Sequence, residues 1–195
     1  VVAWNTRQWV ANHYLLFIGI AYLFVAVIDV FHTLAYAGMG VFPAFTSDEP
    51  TQLWILARYI EAFSLLLAPL FLARRLRPVP TFVVYSVVTA LGLLSIIRLD
   101  LFPACFVPGV GLTAFKVVSE YVISSLIVAG MVLLWRRRAL LAPRVLRLLL
   151  AAMAATIAAE MSFTLYTDVY GVANVIGHLF KLVSFLLVYR AVVAT

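Results

Sequence analysis

Six apolar segments, each long enough to cross a lipid bilayer, divide this chain of 195 residues. An α-helix rises 1.5 Å per residue, so roughly 20 apolar residues cross the hydrocarbon core of a bilayer. We place the spans at about 14–36, 51–73, 81–99, 112–135, 145–166 and 174–192. Hydrophobic residues make up 66% of the chain and charged residues 11%, whereas a soluble domain has roughly half and a quarter. The sequence therefore predicts an all-α integral membrane bundle of six transmembrane helices, forming one domain over residues 1–195.

Basic residues outside the spans gather on one side of the predicted membrane. Ten of the fourteen Lys and Arg residues flank that side, namely Arg7, Arg74, Arg75, Arg77, Arg136, Arg137, Arg138, Arg144, Arg147 and Arg190. Because cytoplasmic loops carry the excess of Lys and Arg, we predict that both termini are cytoplasmic and that the chain is a multi-pass membrane protein. The net charge of +6 then reflects topology, and we expect a lipid bilayer as partner and no nucleic acid.

A second set of charged residues lies inside the spans, in their outer halves. It contains four cations and four carboxylates: Arg58, Arg98, Lys116, Lys181, Asp29, Glu61, Glu120 and Glu160. Spacings of three and four residues place Arg58 with Glu61, and Lys116 with Glu120, on one helical face. Since an unpaired buried charge costs several kcal/mol, equal numbers of the two signs predict a paired network.

This polar layer has two interpretations, either pairs that only align the helices or a binding pocket. Polar residues often serve the first purpose in membranes. A common depth in five helices favours the pocket, in which Lys and Arg suit an anionic or carbonyl group and the histidines suit hydrogen bonds to a quinone-like ring. The predicted ligand-binding residues are His32, Arg58, Glu61, Lys116, Glu120, Glu160, His178 and Lys181, supported by Asp29, Tyr36, Trp54 and Asn174.

His32 and His178 fall at similar depth, so we also predict them as possible ligands of a b-type haem or a metal ion. Glu160 could join them around a metal, and Met39 could serve copper. Hydrogen bonding to an organic ligand or to neighbouring side chains is the alternative. The single cysteine, Cys105, excludes an intramolecular disulfide, and we expect it to be a small apolar filler.

Several stretches carry a family resemblance in chain order. They are Asp29–Met39, Thr51–Glu61, Phe102–Phe106, Gly111–Lys116, Ser119–Tyr121 and Phe163–Gly171, followed by Asn174, Gly177, His178 and Lys181. As a set they resemble the membrane-associated sensor domains of the third MASE type, bacterial input modules joined to cytoplasmic histidine kinases, diguanylate cyclases and related outputs. The resemblance implies a sensory role and a place in the bacterial inner membrane. No output domain is visible in this sequence, so we expect it to be the input module alone.

We therefore predict a membrane-embedded sensory input domain of a bacterial signalling protein, acting in two-component or cyclic di-GMP signalling. A small ligand or cofactor would bind in the outer half, and the last helix would pass the signal to an output domain in cis, within a homodimer. We expect no enzymatic activity and name no catalytic residues. The alternatives are a haem- or metal-binding membrane redox protein and a small proton-coupled transporter, since membrane acids and histidines also form relays.

Overall fold

The computed structural model describes residues 12–164 and 171–193. Within them it contains six long helices, which are α1 (His13–Ala35), α2 (Asp48–Leu67), α3 (Pro78–Ile97), α4 (Ala114–Arg136), α5 (Pro143–Thr164) and α6 (Val172–Val193). Each is long and apolar enough to cross a membrane. The predicted all-α bundle of six transmembrane helices is confirmed, while the cytoplasmic placement of the termini remains a prediction.

The helix ends follow local sequence signals. The Asn12 side chain accepts hydrogen bonds from the backbone N–H groups of Tyr14 and Leu15, so α1 begins at His13. Helix α2 begins at Asp48 instead of the predicted Thr51, because Pro50 falls in the first turn, where a missing N–H is tolerated. At its inner end α2 tightens into a 3₁₀ turn, Ala68–Leu72, which contains Pro69. The predicted end of the fifth span, Tyr166, lies outside the described residues.

Packing places the helices side by side in an open arrangement. Helix α5 packs along α6, α1 packs along α2, and α2 and α5 each pack against α4, while α3 lies at the edge against α1 and α2. Over the described residues, α1 and α6 do not pack closely along each other, and side chains such as the rings of Tyr22 and Phe185, whose centres are 5.8 Å apart, meet between them. The bundle is therefore open between its first and last helices.

The inner half of the bundle is an apolar core. It contains Tyr14, Leu16, Ile18, Ile127, Leu134 and Leu149, all at most 2% exposed. In this half Gly130 of α4 lies so close to α2 that an added Cβ would be 3.0 Å from the backbone oxygen of Leu65. Close packing of small and large side chains holds the inner half together.

A short hairpin covers part of the outer end. Strands β1 (Phe106–Val107) and β2 (Gly111–Leu112) pair antiparallel, and the Asp48 carboxylate accepts hydrogen bonds from the N–H groups of Cys105 and Phe106 at 2.6 and 2.7 Å. Asp48 thereby fastens the hairpin to the start of α2. Cys105 is fully buried in the apolar core, as expected for a small filler. Burial raises the pKa of its thiol to about 12, and the Asp48 carboxylate adds to the shift.

Candidate functional site

Arg58 is the centre of the first ionic group in the outer half. Its guanidinium is fully buried, with Nη2 2.6 and 2.8 Å from the two carboxylate oxygens of Asp29 and Nη1 2.6 Å from Oε2 of Glu61. Charge-assisted hydrogen bonds of this kind are roughly twice as strong as neutral ones. Arg58 therefore ties α1 to α2.

Glu61 extends the group to α6. Its Oε2 also accepts from the Lys181 ammonium, and its Oε1 accepts from the Tyr22 hydroxyl at 2.8 Å. Two cations, Arg58 and Lys181, thus meet two carboxylates, Asp29 and Glu61. Because both signs are matched and hydrogen-bonded, this first ionic group can remain ionised away from water.

A second ionic group joins α4 and α5. The Lys116 ammonium lies 3.0 Å from Oε1 of Glu120, as the four-residue spacing predicts, and donates to the backbone oxygen of Phe163 at 2.5 Å. The last carbonyl groups of a helix have no partner within it, and Phe163 is in the last turn of α5. Lys116 therefore satisfies a helix end as well as a carboxylate.

Glu120 and Glu160 form a pair of buried carboxyl groups. Both are 0% exposed, and their side chains lie next to each other. Apart from the Lys116 ammonium, neither carboxyl group receives a hydrogen bond from a described residue. Two adjacent carboxylates in such a place repel each other, and among the described residues only Lys116 forms an ion pair with either of them. We therefore expect the pair to share one proton, and we place it on Glu160, which has no ion pair among the described residues.

The expected balance of four cations and four carboxylates was wrong, because Arg98 does not belong to the layer. It is exposed at the end of α3, beside Asp100 and the first turn of α2, which contains Asp48 and Glu49. Its position at the outer end of the third span lets the side chain reach water, which a depth count along the helix could not reveal.

An aromatic cluster lies on the outer side of the ionic groups. The Trp54 ring is stacked on His178 with centres 5.6 Å apart, and its centre is 4.6 Å from that of Phe163 and 5.4 Å from that of His32. The Arg58 guanidinium lies 4.5 Å from the centre of the Trp54 ring. Trp54 is only 7% exposed, so it lines the interior and not the outer aromatic belt. Its indole N–H has no acceptor among the described residues.

The open side of the bundle forms a groove of about 560 Å³ between α1 and α6. Its lining is Asp29, His32, Thr33, Tyr36, Met39, Trp54, Asn174, Val175, His178, Lys181, Leu182 and Phe185. A second, smaller cavity of about 40 Å³ lies behind the aromatic cluster, lined by His32, Thr51, Trp54, Lys116, Phe163, Asn174 and His178. The groove has the size typical of a small-molecule site.

The twelve predicted ligand-binding residues divide by position. Seven line the groove: Asp29, His32, Tyr36, Trp54, Asn174, His178 and Lys181. Lys116 lines the smaller cavity, and Arg58, Glu61, Glu120 and Glu160 are fully buried beside them. The buried four hold the lining side chains in place and do not line the groove. Ligand binding by any of the twelve stays a prediction.

Sequence reasoning missed three aromatic contributors, Tyr22, Phe163 and Phe185. Tyr22 precedes Asp29 by two helical turns, and Phe185 follows Lys181 by one, so helical spacing alone would have placed both on the polar faces. Gly177 leaves room for the Phe163 ring, since an added Cβ there would be 2.6 Å from that ring. Among many phenylalanines in a membrane protein, however, none of these is distinguished by type.

His32 and His178 lie next to each other, with ring centres 6.3 Å apart at an angle of 74°. Nδ1 of His32 is 2.7 Å from the backbone oxygen of Pro50, so it donates there and leaves Nε2 for another partner. Among the described residues no three His, Cys, Asp or Glu side chains are grouped as a metal site. Haem or metal binding by the two histidines stays a prediction.

Comparison with known proteins gives one family. The model of MASE3, described as a membrane-associated sensor domain, matches residues 1–195, the whole chain. No curated protein and no solved structure gives a significant match.

Proposed function

The chain belongs to the MASE3 family of membrane-associated sensor domains, and from that premise we propose that it senses a small molecule in the groove between α1 and α6. The protein is a multi-pass membrane protein, and the family gives it a sensory input role. The observation that supports a ligand is the groove itself. It combines a size suited to a small molecule with histidines, an amide and ionised groups from α1 and α6, and with the Trp54 ring from α2.

The packing of α6 supports a route for the signal. The Ser184 hydroxyl lies 2.7 Å from the Thr156 hydroxyl and donates to the Ala152 backbone oxygen at 2.9 Å, so α6 is hydrogen-bonded to α5. Its connection to α1 and α2 runs through the Lys181–Glu61 ion pair and aromatic contacts across the groove. A ligand in the groove would therefore move α5 and α6 together relative to α1 and α2. Such a shift is limited by the difference in ligand affinity between the two arrangements.

In this proposal α6 carries the change to a cytoplasmic output, a histidine kinase or a diguanylate cyclase in cis. The output works in a homodimer, and the basic flanks face the cytoplasm. These features rest on the family resemblance and on the charge distribution.

The experiment joins the whole chain to a histidine kinase reporter and fills the groove by substitution. Leu182 lines the groove and is 65% exposed, and Leu182→Trp adds a bulky ring inside it. We expect basal reporter output to change at least several-fold. Val183→Trp is the matched control, because Val183 is 48% exposed on α6 outside the groove lining. Equal outputs from the two variants would contradict signalling through the groove.

A second candidate is a haem or metal cofactor at His32 and His178. His32 and His178 would hold such a group, since their ring centres lie 6.3 Å apart, close enough for both imidazoles to reach one ion. A backbone acceptor on Nδ1 is also the usual support of a ligating histidine. Purified protein should then show a Soret band or bound metal that is lost in His32→Ala. Protein that stays colourless and metal-free after incubation with haemin and with Cu²⁺ would remove this candidate.

A further inference from the structure

The groove opens sideways, within the membrane-spanning segments, and this restricts what can enter it. Its lining on α6 includes Val175 and Leu182, which are 56% and 65% exposed and follow the polar residues along the helix. Phe185 and Met39 add apolar surface at either end of the lining. A molecule dissolved in the bilayer reaches this opening directly and keeps an apolar portion against these side chains.

Charge excludes an anion. Lys181, the cation of the groove lining, is already paired with Glu61, and Arg58, buried beside the groove, is paired with Asp29 and Glu61. With the proton on Glu160, three cations face three ionised carboxylates across both ionic groups, so the layer has no spare positive charge. An anionic lipid head or a fatty acid carboxylate would add an uncompensated negative charge in a medium of low dielectric constant. The occupant is therefore neutral.

The polar wall specifies hydrogen bonds. The Trp54 indole N–H is buried without an acceptor among the described residues and needs an oxygen from elsewhere. The His32 ring donates from Nδ1 to the Pro50 backbone oxygen, so in the neutral ring Nε2 is an acceptor that a hydroxyl group of the occupant can use. An occupant that satisfies both carries an oxygen acceptor and a hydroxyl donor. The near-parallel rings of Trp54 and His178 favour a flat ring as the carrier.

We propose that the groove binds a neutral, membrane-dissolved ring compound of the quinol class, with an apolar chain along α6 and with hydrogen bonds to Trp54 and His32. The proposal rests on the proposed sensor function and names its ligand class. The oxidised quinone has carbonyl oxygens but no hydroxyl group, so it keeps the bond from Trp54 and loses the one to His32. A site built to accept a hydroxyl group discriminates against a partner that lacks it.

The test uses the whole chain in lipid nanodiscs with a chelator present, which prevents a metal from occupying the histidines. Trp4, Trp9 and Trp135 are changed to Phe, so that Trp54 is the remaining tryptophan and its fluorescence reports the groove. Decylubiquinone and its quinol are the probes. We expect saturable changes in Trp54 fluorescence with both, and binding of the quinol roughly 10-fold tighter, the effect of one hydrogen bond of usual strength.

His32→Phe keeps a ring against Trp54 and removes Nε2, so it should abolish the preference for quinol and leave quinone binding unchanged. Arg98→Leu is the control, because Arg98 lies at the exposed end of α3; it should change neither the preference for quinol nor the affinity for quinone. If His32→Phe does not fold, the ratio of the two affinities in the unaltered histidine background still decides the point. Equal affinities, or absence of saturable binding by both probes, would overturn the quinol proposal.

Oleate in the same nanodiscs separates this proposal from the sensor function. If oleate binds saturably at Trp54 while both probes do not, the occupant is an anion and the ligand class is wrong, although the groove is still a binding site. Reporter output that responds to Leu182→Trp in the kinase fusion, without probe binding, would likewise leave the sensor function standing. If neither the probes nor oleate bind and Leu182→Trp leaves the reporter output unchanged, both proposals are wrong.

Discussion

The outer and inner halves of this bundle hold the same six helices together in different ways. The inner half packs apolar side chains around Gly130 and contains buried residues such as Tyr14, Leu134 and Leu149. The outer half uses ion pairs, hydrogen bonds and aromatic rings, and it leaves a groove open between α1 and α6. Lipid does not drive apolar helices together as water does, so close packing serves the inner half and polar contacts serve the outer half. In the outer half the unsatisfied indole N–H of Trp54 lies beside the groove, where a ligand can complete it.

The largest expected effect is a loss of stability when the ion pairs of the outer half are broken. Arg58→Leu leaves Asp29 and Glu61 without their shared guanidinium, and breaking a buried ion pair costs about 3–5 kcal/mol. The free energy of unfolding of the protein in detergent, measured by denaturant titration, should fall by that amount. Arg98→Leu removes the same charge from an exposed helix end and should change it by less than about 0.5 kcal/mol. Similar losses in both variants would show that the outer half is not held by Arg58.

A smaller effect is expected from overpacking the inner half. In Gly130→Val the new side chain meets the Leu65 backbone, which cannot rotate away, so we expect a loss of about 1–3 kcal/mol in the same titration. Gly92→Val is the control, because its Cβ meets the tip of the Leu56 side chain, which can change rotamer. A cost for Gly92→Val that equals or exceeds the cost for Gly130→Val would contradict close backbone packing in the inner half.

Glu160→Gln should change the free energy of unfolding still less. If Glu160 already carries the shared proton, a neutral amide replaces a neutral acid of similar shape, and the unfolding free energy should change by less than about 1 kcal/mol. Glu61→Gln is the matched change at an ionised carboxylate and should cost several times more, because Lys181 and Arg58 lose a partner. Equal costs would mean that Glu160 is ionised and that the proton lies elsewhere.

The anchoring of the outer hairpin can be tested by thiol labelling, and here we expect almost no change in the free energy of unfolding. Cys105 is buried and its thiol has a pKa of about 12, so it is protonated at neutral pH and maleimide should label it slowly, faster as the pH rises. Asp48→Ala removes the acceptor for two hairpin N–H groups and should speed labelling at pH 7 by about tenfold or more. Glu49→Ala is the control, since that carboxylate accepts only from Thr46 among the described residues. Rapid labelling of the unaltered protein would show that the hairpin is not anchored.

The sequence predicted the fold and most members of the polar layer for physical reasons. Span length and hydropathy fix the number of helices, and spacings of three and four residues along a helix identified Arg58 with Glu61 and Lys116 with Glu120. Partners from different helices could not be assigned, because helical spacing carries no information on which faces meet. The pairing of Lys181 with Glu61 and the contact of Glu160 with Glu120 are of that kind. Arg98 was misplaced because depth along a helix does not show whether a long side chain reaches water.

The separation between α1 and α6 also governs how any affinity for the groove should be understood. In a bilayer, acyl chains have the same lateral access to this opening as a ligand does, so every binding event there is an exchange of one hydrophobic molecule for another. Apparent affinities will then depend on the length and saturation of the surrounding lipids, and detergent will compete in their place. A receptor of this kind responds to the lipid composition of the surrounding membrane as well as to the ligand dissolved in it.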